Sequence, residues 1–343
     1  MLRLGSPVIE ISAEVRPRPA HWQQELANAI RDPDMLIDRL GLPDALREGA
    51  RRAAGLFPLF VTESFLGRMQ PGDPGDPLLL QVLPLGVESA SPPGFTADPL
   101  EETSAHRAPG LLQKYAGRAL MISTGACAIH CRYCFRRSFP YGDEPRRLDD
   151  WDPAFERLSA DPSIHEVILS GGDPLMLSDA RLAEIIERLD QIEHLDRVRI
   201  HTRLPIVLPS RVTERLLELL RSSRMTPIVV VHANHPAEIV GDCRDALRLL
   251  VTSGPTVLNQ TVLLAGINDD DEALAELSLR LINVGVIPYY LHQLDRVSGT
   301  AHFEVPEERG VALIEELRTR VPGYAVPQYV REVPGAPNKV PLI

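Results

Sequence analysis

The sequence has few cysteines and no long apolar run. Four cysteines occur in 343 residues, and no stretch approaches the roughly 18 consecutive apolar residues that a transmembrane helix needs. The first residues do not have the pattern of an apolar signal peptide. These absences argue against a disulfide-stabilised secreted protein and against a membrane protein, so we expect a cytoplasmic location.

Positive charge does not balance the negative charge. Lys and Arg total 36 against 47 Asp and Glu, which gives a formal net charge of −11. Affinity for a phosphate backbone comes from clustered basic residues, so this balance argues against nucleic-acid binding. One local cluster of positive charge is an exception to this overall balance. It is a group of arginines at a position where an anionic cofactor and a carboxylate can be bound. Its members are Arg132, Arg136, Arg137, Arg146 and Arg147.

Three of the four cysteines, Cys127, Cys131 and Cys134, lie within eight residues. Three thiolates on one loop can bind a [4Fe-4S] cluster and leave its fourth iron free to bind and reduce another molecule. A structural zinc site is the alternative, but it needs a fourth ligand, which His130 or Cys243 would have to supply. Cys243 falls in a predicted helix, where a single cysteine is most often a small buried apolar side chain.

The chain divides into three parts. Helical spacing of apolar residues predicts helices at 21–31, 33–40 and 43–56. Proline- and glycine-rich stretches at 70–77 and 91–94 then interrupt regular structure. We place a domain boundary near residue 105, which gives an N-terminal helical and irregular extension (1–105), a barrel (106–321) and a C-terminal segment (322–343).

Beyond residue 105, short β-branched runs alternate with amphipathic helical segments. This alternation predicts a parallel sheet with right-handed crossovers, and six units indicate an α/β fold with a partial (β/α)6 barrel rather than a complete eight-stranded one. The predicted strands are 119–123, 166–170, 197–202, 228–232, 257–263 and 286–291. The predicted helices are 180–189, 211–221, 238–251, 271–284 and 306–320.

Polar residues accompany these strands. In such barrels the functional residues collect at the C-terminal ends of the strands. Each group also has an ordinary alternative, since a Gly-Gly-Asp-Pro turn can simply cap a helix and a single histidine near a strand end is often structural. Their shared position favours ligand binding. The residues concerned are Gly171, Gly172, Asp173, Thr202, Arg203, His232, His235, Asn259, Gln260, His292 and Asp295.

The pattern Cys-x3-Cys-x-aromatic-Cys, with Tyr133 as the aromatic residue, resembles the motif of radical S-adenosylmethionine (SAM) enzymes. Within that superfamily the chain is similar to the lysine 2,3-aminomutase group over about residues 22–341. The resemblance implies a radical SAM partial barrel, a [4Fe-4S] cluster on the three cysteines, SAM and pyridoxal 5'-phosphate (PLP). It is carried by residues 114–118, 131–137, 169–175, 201–209, 232–236, 259–264, 288–295 and 333–341.

The resemblance also implies individual roles. Lys339 matches the lysine that binds PLP covalently, although a lysine this close to the chain end would otherwise be expected to be exposed. Its amine has to be desolvated or placed near another cation, so the last residues should fold back over the barrel mouth. Arg136 would bind the substrate carboxylate, and Asp295 and Glu332 would hold the ε-ammonium group of lysine.

Other residues would bind the cofactors. Lys114, Tyr115 and Arg118 would hold the PLP phosphate, and His292 stands where the aminomutases have tyrosine. The Gly171-Gly172 turn would meet the amino group of SAM. The remaining residues that the resemblance places at the cofactors are Tyr133, Asp173, Thr202, Arg203, His232 and Gln260.

The implied reaction is a 1,2 amino shift in L-lysine. Cys-Phe-Arg-Arg at 134–137 and an end just past Lys339 are typical of the bacterial subgroup that makes (R)-β-lysine for modification of elongation factor P. The partners would be L-lysine, elongation factor P with its lysyl-ligating enzyme, and an electron donor such as flavodoxin or ferredoxin. An oligomer is compatible with the sequence.

Two alternatives stay open. The first is a lysine 2,3-aminomutase that acts on free lysine in catabolism or osmolyte synthesis. The second belongs to another class, a non-catalytic iron-sulfur or zinc protein. The chain also departs from the aminomutase pattern, since Glu332 is one methylene longer than the usual aspartate and Gly-Ala-Pro-Asn at 335–338 replaces a glycine run.

Overall fold

The computed structural model describes residues 21–90 and 92–343. Residues 1–20, which we assigned to the N-terminal extension, and residue 91, in the second proline-rich stretch, lie outside the described part. None of the helices in the described residues combines the length and apolarity needed to span a membrane.

The centre of the molecule is a single ten-stranded sheet. The strands are β1 (His106–Ala108), β2 (Leu111–Leu112), β3 (Arg118–Thr124), β4 (Glu166–Gly171), β5 (Arg197–Thr202), β6 (Thr226–His232), β7 (Thr256–Val262), β8 (Ile287–His292), β9 (Gln328–Arg331) and β10 (Val340–Pro341). They pair in chain order, and β3 to β9 are parallel. Antiparallel strands extend the sheet at both ends.

Helices precede the sheet and connect its parallel strands. They are α1 (His21–Ala27), α2 (Pro33–Leu40), α3 (Arg47–Leu56), α4 (Glu63–Leu66), α5 (Pro77–Leu80), α6 (Asp152–Ala160), α7 (Asp179–Asp190), α8 (Leu204–Val207), α9 (Glu214–Ser222), α10 (Gly241–Thr252), α11 (Asp271–Asn283) and α12 (Glu307–Arg320). Each strand from β3 to β8 is followed by a crossover helix. The predicted partial (β/α)6 barrel is confirmed.

All six predicted barrel strands are present within two residues of their expected bounds. The sequence did not predict β1, β2, β9 and β10, because runs of two to four residues are too short to show alternation. It also missed α6. The helix predicted from residue 211 starts at Glu214, since the Thr213 side chain accepts a hydrogen bond from Leu216 N and caps it there.

The N-terminal segment packs directly on the barrel. One cluster of buried apolar side chains contains Leu36 and Phe65 from this segment and Val198 and Leu216 from the barrel. Polar contacts add to the packing, since the Arg68 guanidinium donates to the carbonyl oxygens of Ile206 at 2.6 Å and Glu238 at 2.7 Å. The segment is therefore held against the same end of the barrel that carries the cysteine loop.

Candidate active site

Cys127, Cys131 and Cys134 lie on the loop that follows β3. Burial raises the pKa of the Cys127 thiol well above its usual range, and the neighbouring Asp173, Cys134 and Cys131 raise it further. Burial, followed by Cys131, raises the pKa of Cys134 to about 11. The surroundings of Cys127 and Cys134 thus disfavour a bare thiolate, and bound iron would supply the compensating positive charge.

The donor set fits a cluster better than a zinc ion. Within residues 21–90 and 92–343, no three Cys, His, Asp or Glu side chains converge on one ion position. A structural zinc site needs four Cys or His ligands, whereas a [4Fe-4S] cluster with one open iron needs three cysteines, each on a different iron. Of the two possible fourth zinc ligands, Cys243 is fully buried in α10, and His130 turns its Nδ1 atom to the Pro58 carbonyl oxygen, 2.9 Å away.

The N-terminal segment clamps the cysteine loop. His130 N donates to Phe60 O at 3.0 Å, and Arg132 N donates to Gln81 O at 2.8 Å. The buried Arg132 guanidinium binds both carboxylate oxygens of Glu88, at 2.8 and 2.5 Å, and Arg137 binds the same carboxylate at 2.9 Å. Two arginines of the loop therefore share one acid from the extension.

The Gly171-Gly172 turn packs against the other side of this loop. Gly172 N donates to Thr124 O at 2.7 Å, and Asp173 N donates to Ala126 O at 2.8 Å. A Cβ atom at Gly172 would lie 2.3 Å from Ala126 O, and one at Gly171 would lie 2.5 Å from Thr124 O. The close contact between the turn and the cysteine loop thus leaves no room for a side chain at these two positions. This requirement for glycine is separate from the SAM contact that the resemblance implies.

Asp173 joins this turn to the end of β5. Its buried carboxylate accepts hydrogen bonds from Thr202 Oγ1 at 2.8 Å, Arg203 N at 2.6 Å and Leu175 N at 3.0 Å. Burial raises the pKa of Asp173 to about 6, although these hydrogen bonds act in the opposite direction. Thr202 and Asp173 thus hold the backbone around the site.

Arg203 reaches from β5 to the cysteine loop. Its Nη1 lies 2.7 Å from Cys131 Sγ, and its Nη2 donates to Glu238 Oε2 at 3.0 Å and to Gln81 Oε1 at 2.5 Å. Burial acts to lower the pKa of Arg203, but the Cys131 sulfur, Tyr133 and Glu238 raise it well above its usual value. The guanidinium therefore keeps its positive charge next to a cysteine sulfur.

Tyr133 lies beside this guanidinium. Its hydroxyl accepts a hydrogen bond from Asn234 Nδ2 at 2.7 Å, and the Arg203 Cζ atom lies 5.7 Å from its ring centroid. Burial raises the pKa of Tyr133 well above its usual range. The aromatic residue of the cysteine motif is thus held in a polar network that the sequence did not predict.

The sequence contains only two lysines, Lys114 and Lys339, and both reach Glu332. Lys339 Nζ pairs with Glu332 Oε2, and Lys114 Nζ lies 3.6 Å from Oε1, to which Tyr115 OH donates at 2.6 Å. Lys339 directly precedes β10, which pairs with β9 and returns the chain end to the sheet. Arg118 stacks on the Tyr115 ring, with Cζ 4.5 Å from its centroid.

Arg136 is paired with an acid that sequence reasoning missed. Its Nε and Nη2 bind the two oxygens of Glu102 at 2.7 and 2.8 Å, and its Nη1 donates to Ser170 Oγ at 3.0 Å. Burial opposes ionisation of Glu102, but Arg136 and Lys114 bring its pKa below the usual value. A substrate carboxylate would therefore meet the Nη1 side of Arg136 or exchange with Glu102.

Asp295 differs from the other acids of the site. Glu332 is held by Lys339, Lys114 and Tyr115, whereas no hydrogen bond or ion pair engages the Asp295 carboxylate among the described residues. Burial raises the pKa of Asp295 to about 7, and the nearby Lys339 acts against this shift. Asp295 and Glu332 both line a cavity of about 850 Å³. An unpaired carboxylate at a cavity wall is suited to a cationic ligand.

Three histidines line the barrel interior with free ring nitrogens. His201, His232 and His292 each have an Nε2 atom that is buried and has no hydrogen-bond partner among the described residues. Burial lowers all three pKa values, that of His232 to about 3, so the rings are neutral. Gln260 lies beside His232 in the β6–β7 register. His201 was not among the predicted site residues, because it precedes the polar end of β5.

Comparisons with known proteins identify the family. The Radical SAM superfamily profile matches residues 121–278. The L-lysine 2,3-aminomutase of Escherichia coli is 45% identical over 328 residues, which cover 95% of each chain. That of Haemophilus influenzae is 44% identical over 93% of this chain and 94% of the relative. That of Clostridium subterminale is 35% identical over 94% of this chain and 77% of the relative.

Proposed function

The chain belongs to the L-lysine 2,3-aminomutases of the radical SAM superfamily, and on this basis we propose that it makes (R)-β-lysine from L-lysine with PLP held by Lys339. It is an isomerase that uses a [4Fe-4S] cluster and SAM. When bound, the cluster and SAM supply the radical and PLP carries the migrating amino group.

The residues around Lys339 fit PLP. Arg118 has no carboxylate partner among the described residues, and Lys114 and Tyr115 lie beside it with groups that can bind a phosphate. The unpartnered histidine nitrogens offer hydrogen bonds to a ring that enters the barrel. Glu332 holds Lys339 in place and, through Tyr115, joins it to the phosphate-binding side.

The unpaired carboxylate of Asp295 is the observation that carries the substrate assignment. L-lysine presents a carboxylate at one end and an ε-ammonium group at the other. Arg136 would provide the cation for the first and Asp295 the anion for the second.

Elongation factor P is the proposed destination of the product. This part of the proposal is supported by the resemblance at residues 134–137. The lysyl-ligating enzyme would then attach (R)-β-lysine to elongation factor P, and a flavodoxin or ferredoxin would reduce the cluster.

Anaerobic turnover with SAM and dithionite tests the reaction. Free L-lysine and lysylated elongation factor P are supplied side by side, and chiral chromatography identifies the product. We expect (R)-β-lysine from the free amino acid. An (S) product, or turnover only of the protein-bound lysyl group, would contradict the proposal.

The low lysine content allows a direct test of PLP attachment. Borohydride reduction of the PLP-loaded protein fixes the group on the lysine that holds it, and peptide mass spectrometry locates it. Only Lys114 and Lys339 are available as side chains. We expect the label on Lys339, its retention in Lys114→Arg and its loss in Lys339→Arg. A label on Lys114 in the unmodified protein would refute the assignment.

A further inference from the structure

Gln81 connects the N-terminal segment to the cysteine loop. It follows α5 directly and is fully buried. Its backbone carbonyl accepts a hydrogen bond from Arg132 N at 2.8 Å, one residue after Cys131. Neither the cysteine motif nor the strand ends pointed to this residue, which lies fifty residues before Cys131 in the sequence.

The Gln81 side chain uses both of its polar atoms. Its Oε1 accepts from Arg203 Nη2 at 2.5 Å and from Asn234 Nδ2 at 3.0 Å, and its Nε2 donates to Glu238 Oε1 at 3.1 Å and to Pro77 O at 3.1 Å. An amide in this position satisfies an acid and a guanidinium together, because its NH2 group donates to the acid and its oxygen accepts from the guanidinium.

Glu238 completes the support of Arg203. Its Oε2 accepts from Arg203 Nη2 at 3.0 Å, and its Oε1 also accepts from Asn234 N and His235 N, at 2.8 and 3.0 Å. With Nη2 held by Gln81 and Glu238, the opposite nitrogen of the planar guanidinium, Nη1, is directed at Cys131 Sγ, 2.7 Å away. A side chain with many rotatable bonds is thus restricted to one orientation.

We propose that Gln81 and Glu238 are positioning residues that hold the Arg203 guanidinium against the Cys131 sulfur and thereby set the reduction potential of the cluster. Hydrogen bonds to cluster sulfurs and local charge both tune this potential. A positive charge next to the sulfur favours the reduced cluster, which carries one more electron. This inference rests on the cluster assignment to the three cysteines and is independent of the lysine chemistry.

Two isosteric substitutions should shift the potential in opposite directions. Gln81→Glu places a negative charge beside the guanidinium and should lower the midpoint potential. Glu238→Gln removes the charge that partly neutralises Arg203 and should raise it. General loosening of the site would not produce opposite signs. We expect each shift to correspond to about a tenfold change in the reduction equilibrium, which is about 59 mV for one electron.

The measurement is a redox titration of the reconstituted protein, followed by electron paramagnetic resonance and by the visible absorbance of the cluster. Thr62→Val is the matched control. It removes the buried hydrogen bond from the N-terminal segment to Val207 O, in the helix that follows Arg203, and Thr62 makes no hydrogen bond to the Arg203 guanidinium, so the potential should stay unchanged. Gln81→Met, which keeps the volume but loses both polar atoms, should lower the potential less than Gln81→Glu.

The proposal would be overturned if the midpoint potential moved in the same direction in Gln81→Glu and Glu238→Gln, or if it moved as far in Thr62→Val as in these two variants. The proposal would also be overturned if neither charge variant bound the cluster and the midpoint potential of Gln81→Met equalled that of the unmodified protein. Iron and sulfide content is measured separately. If the unmodified protein binds no cluster, the cluster assignment itself is wrong, and this outcome is distinguishable from an unchanged potential in loaded variants.

Discussion

Asp295 combines a functional role with a cost in stability. Its carboxylate is the one proposed to bind the lysine ammonium group, and losing one partner of such a charge pair costs about 2 kcal/mol, roughly a thirtyfold rise in KM. We expect this rise in Asp295→Asn, measured from initial rates over lysine concentration, with cluster and PLP content unchanged. Glu308→Gln removes a charge from an exposed position on the same cavity and should leave KM nearly unchanged.

The same substitution should stabilise the protein above neutral pH. The pKa of Asp295 is raised from 3.8 to about 7 by burial, so the folded state binds this proton more tightly than the unfolded state does. Its contribution to stability therefore falls as the pH rises from about 4 to 7. Asp295→Asn should have a higher Tm than the unmodified protein at pH 8, and the difference should shrink towards pH 5. A lower Tm at pH 8 would contradict the unpaired state of Asp295.

Single residues were predictable from the sequence where a motif or a resemblance contained them. Cys127, Cys131, Cys134 and Lys339 belong to such patterns, and their roles stay predictions. Glu102 and Gln81 could not be found in this way, because each meets its arginine only through the fold. The scarcity of lysine was a usable signal that we did not use, since two lysines in a chain rich in arginine point to positions that need a primary amine.

The turn after β4 shows how one element supports another. A Cβ atom at Gly172 would lie 2.3 Å from the Ala126 carbonyl oxygen, and backbone atoms cannot move away as a flexible side chain can. We expect Gly172→Ala to cost about 1–3 kcal/mol and to displace the loop that carries Cys127. Iron content per chain and the Tm report the two effects. Gly142→Ala has free space around the added atom and should alter neither. Full iron loading in Gly172→Ala would contradict the role of the turn.

Elements were predictable in proportion to their length. The parallel strands β3 to β8 have continuous apolar runs and lie between amphipathic helices, so pattern alone located them. The two-residue strand β10 has no such pattern. Its place depends on pairing with β9, and this pairing returns Lys339 to the barrel mouth. The strand that positions Lys339, the proposed PLP lysine, thus depends on tertiary contacts.

At the scale of the whole molecule, the N-terminal segment and the barrel form the cluster site together. Helices α1 to α3 were predicted as an extension, but their relation to the cysteine loop was not. The contacts link residues 57–60, 81 and 88 to residues 130–137, and no short-range pattern encodes pairings over such distances. Loading of the cluster should therefore depend on acids in the N-terminal segment.

Glu88 provides the sharpest test of this dependence. It is buried and pairs with both Arg132 and Arg137, so Glu88→Gln leaves two guanidinium groups without a compensating charge. Removing one partner of a buried ion pair costs about 3–5 kcal/mol. We expect lower stability in denaturant unfolding and a loss of bound iron.

Glu63→Gln is the matched control, because this glutamate of the same segment also binds an arginine through two hydrogen bonds. Its pair with Arg39 is solvent-exposed, and exposed pairs contribute little, so its iron content should stay normal. Equal iron loss in both variants would show that the segment acts through general stability and not through the clamp on the cysteine loop.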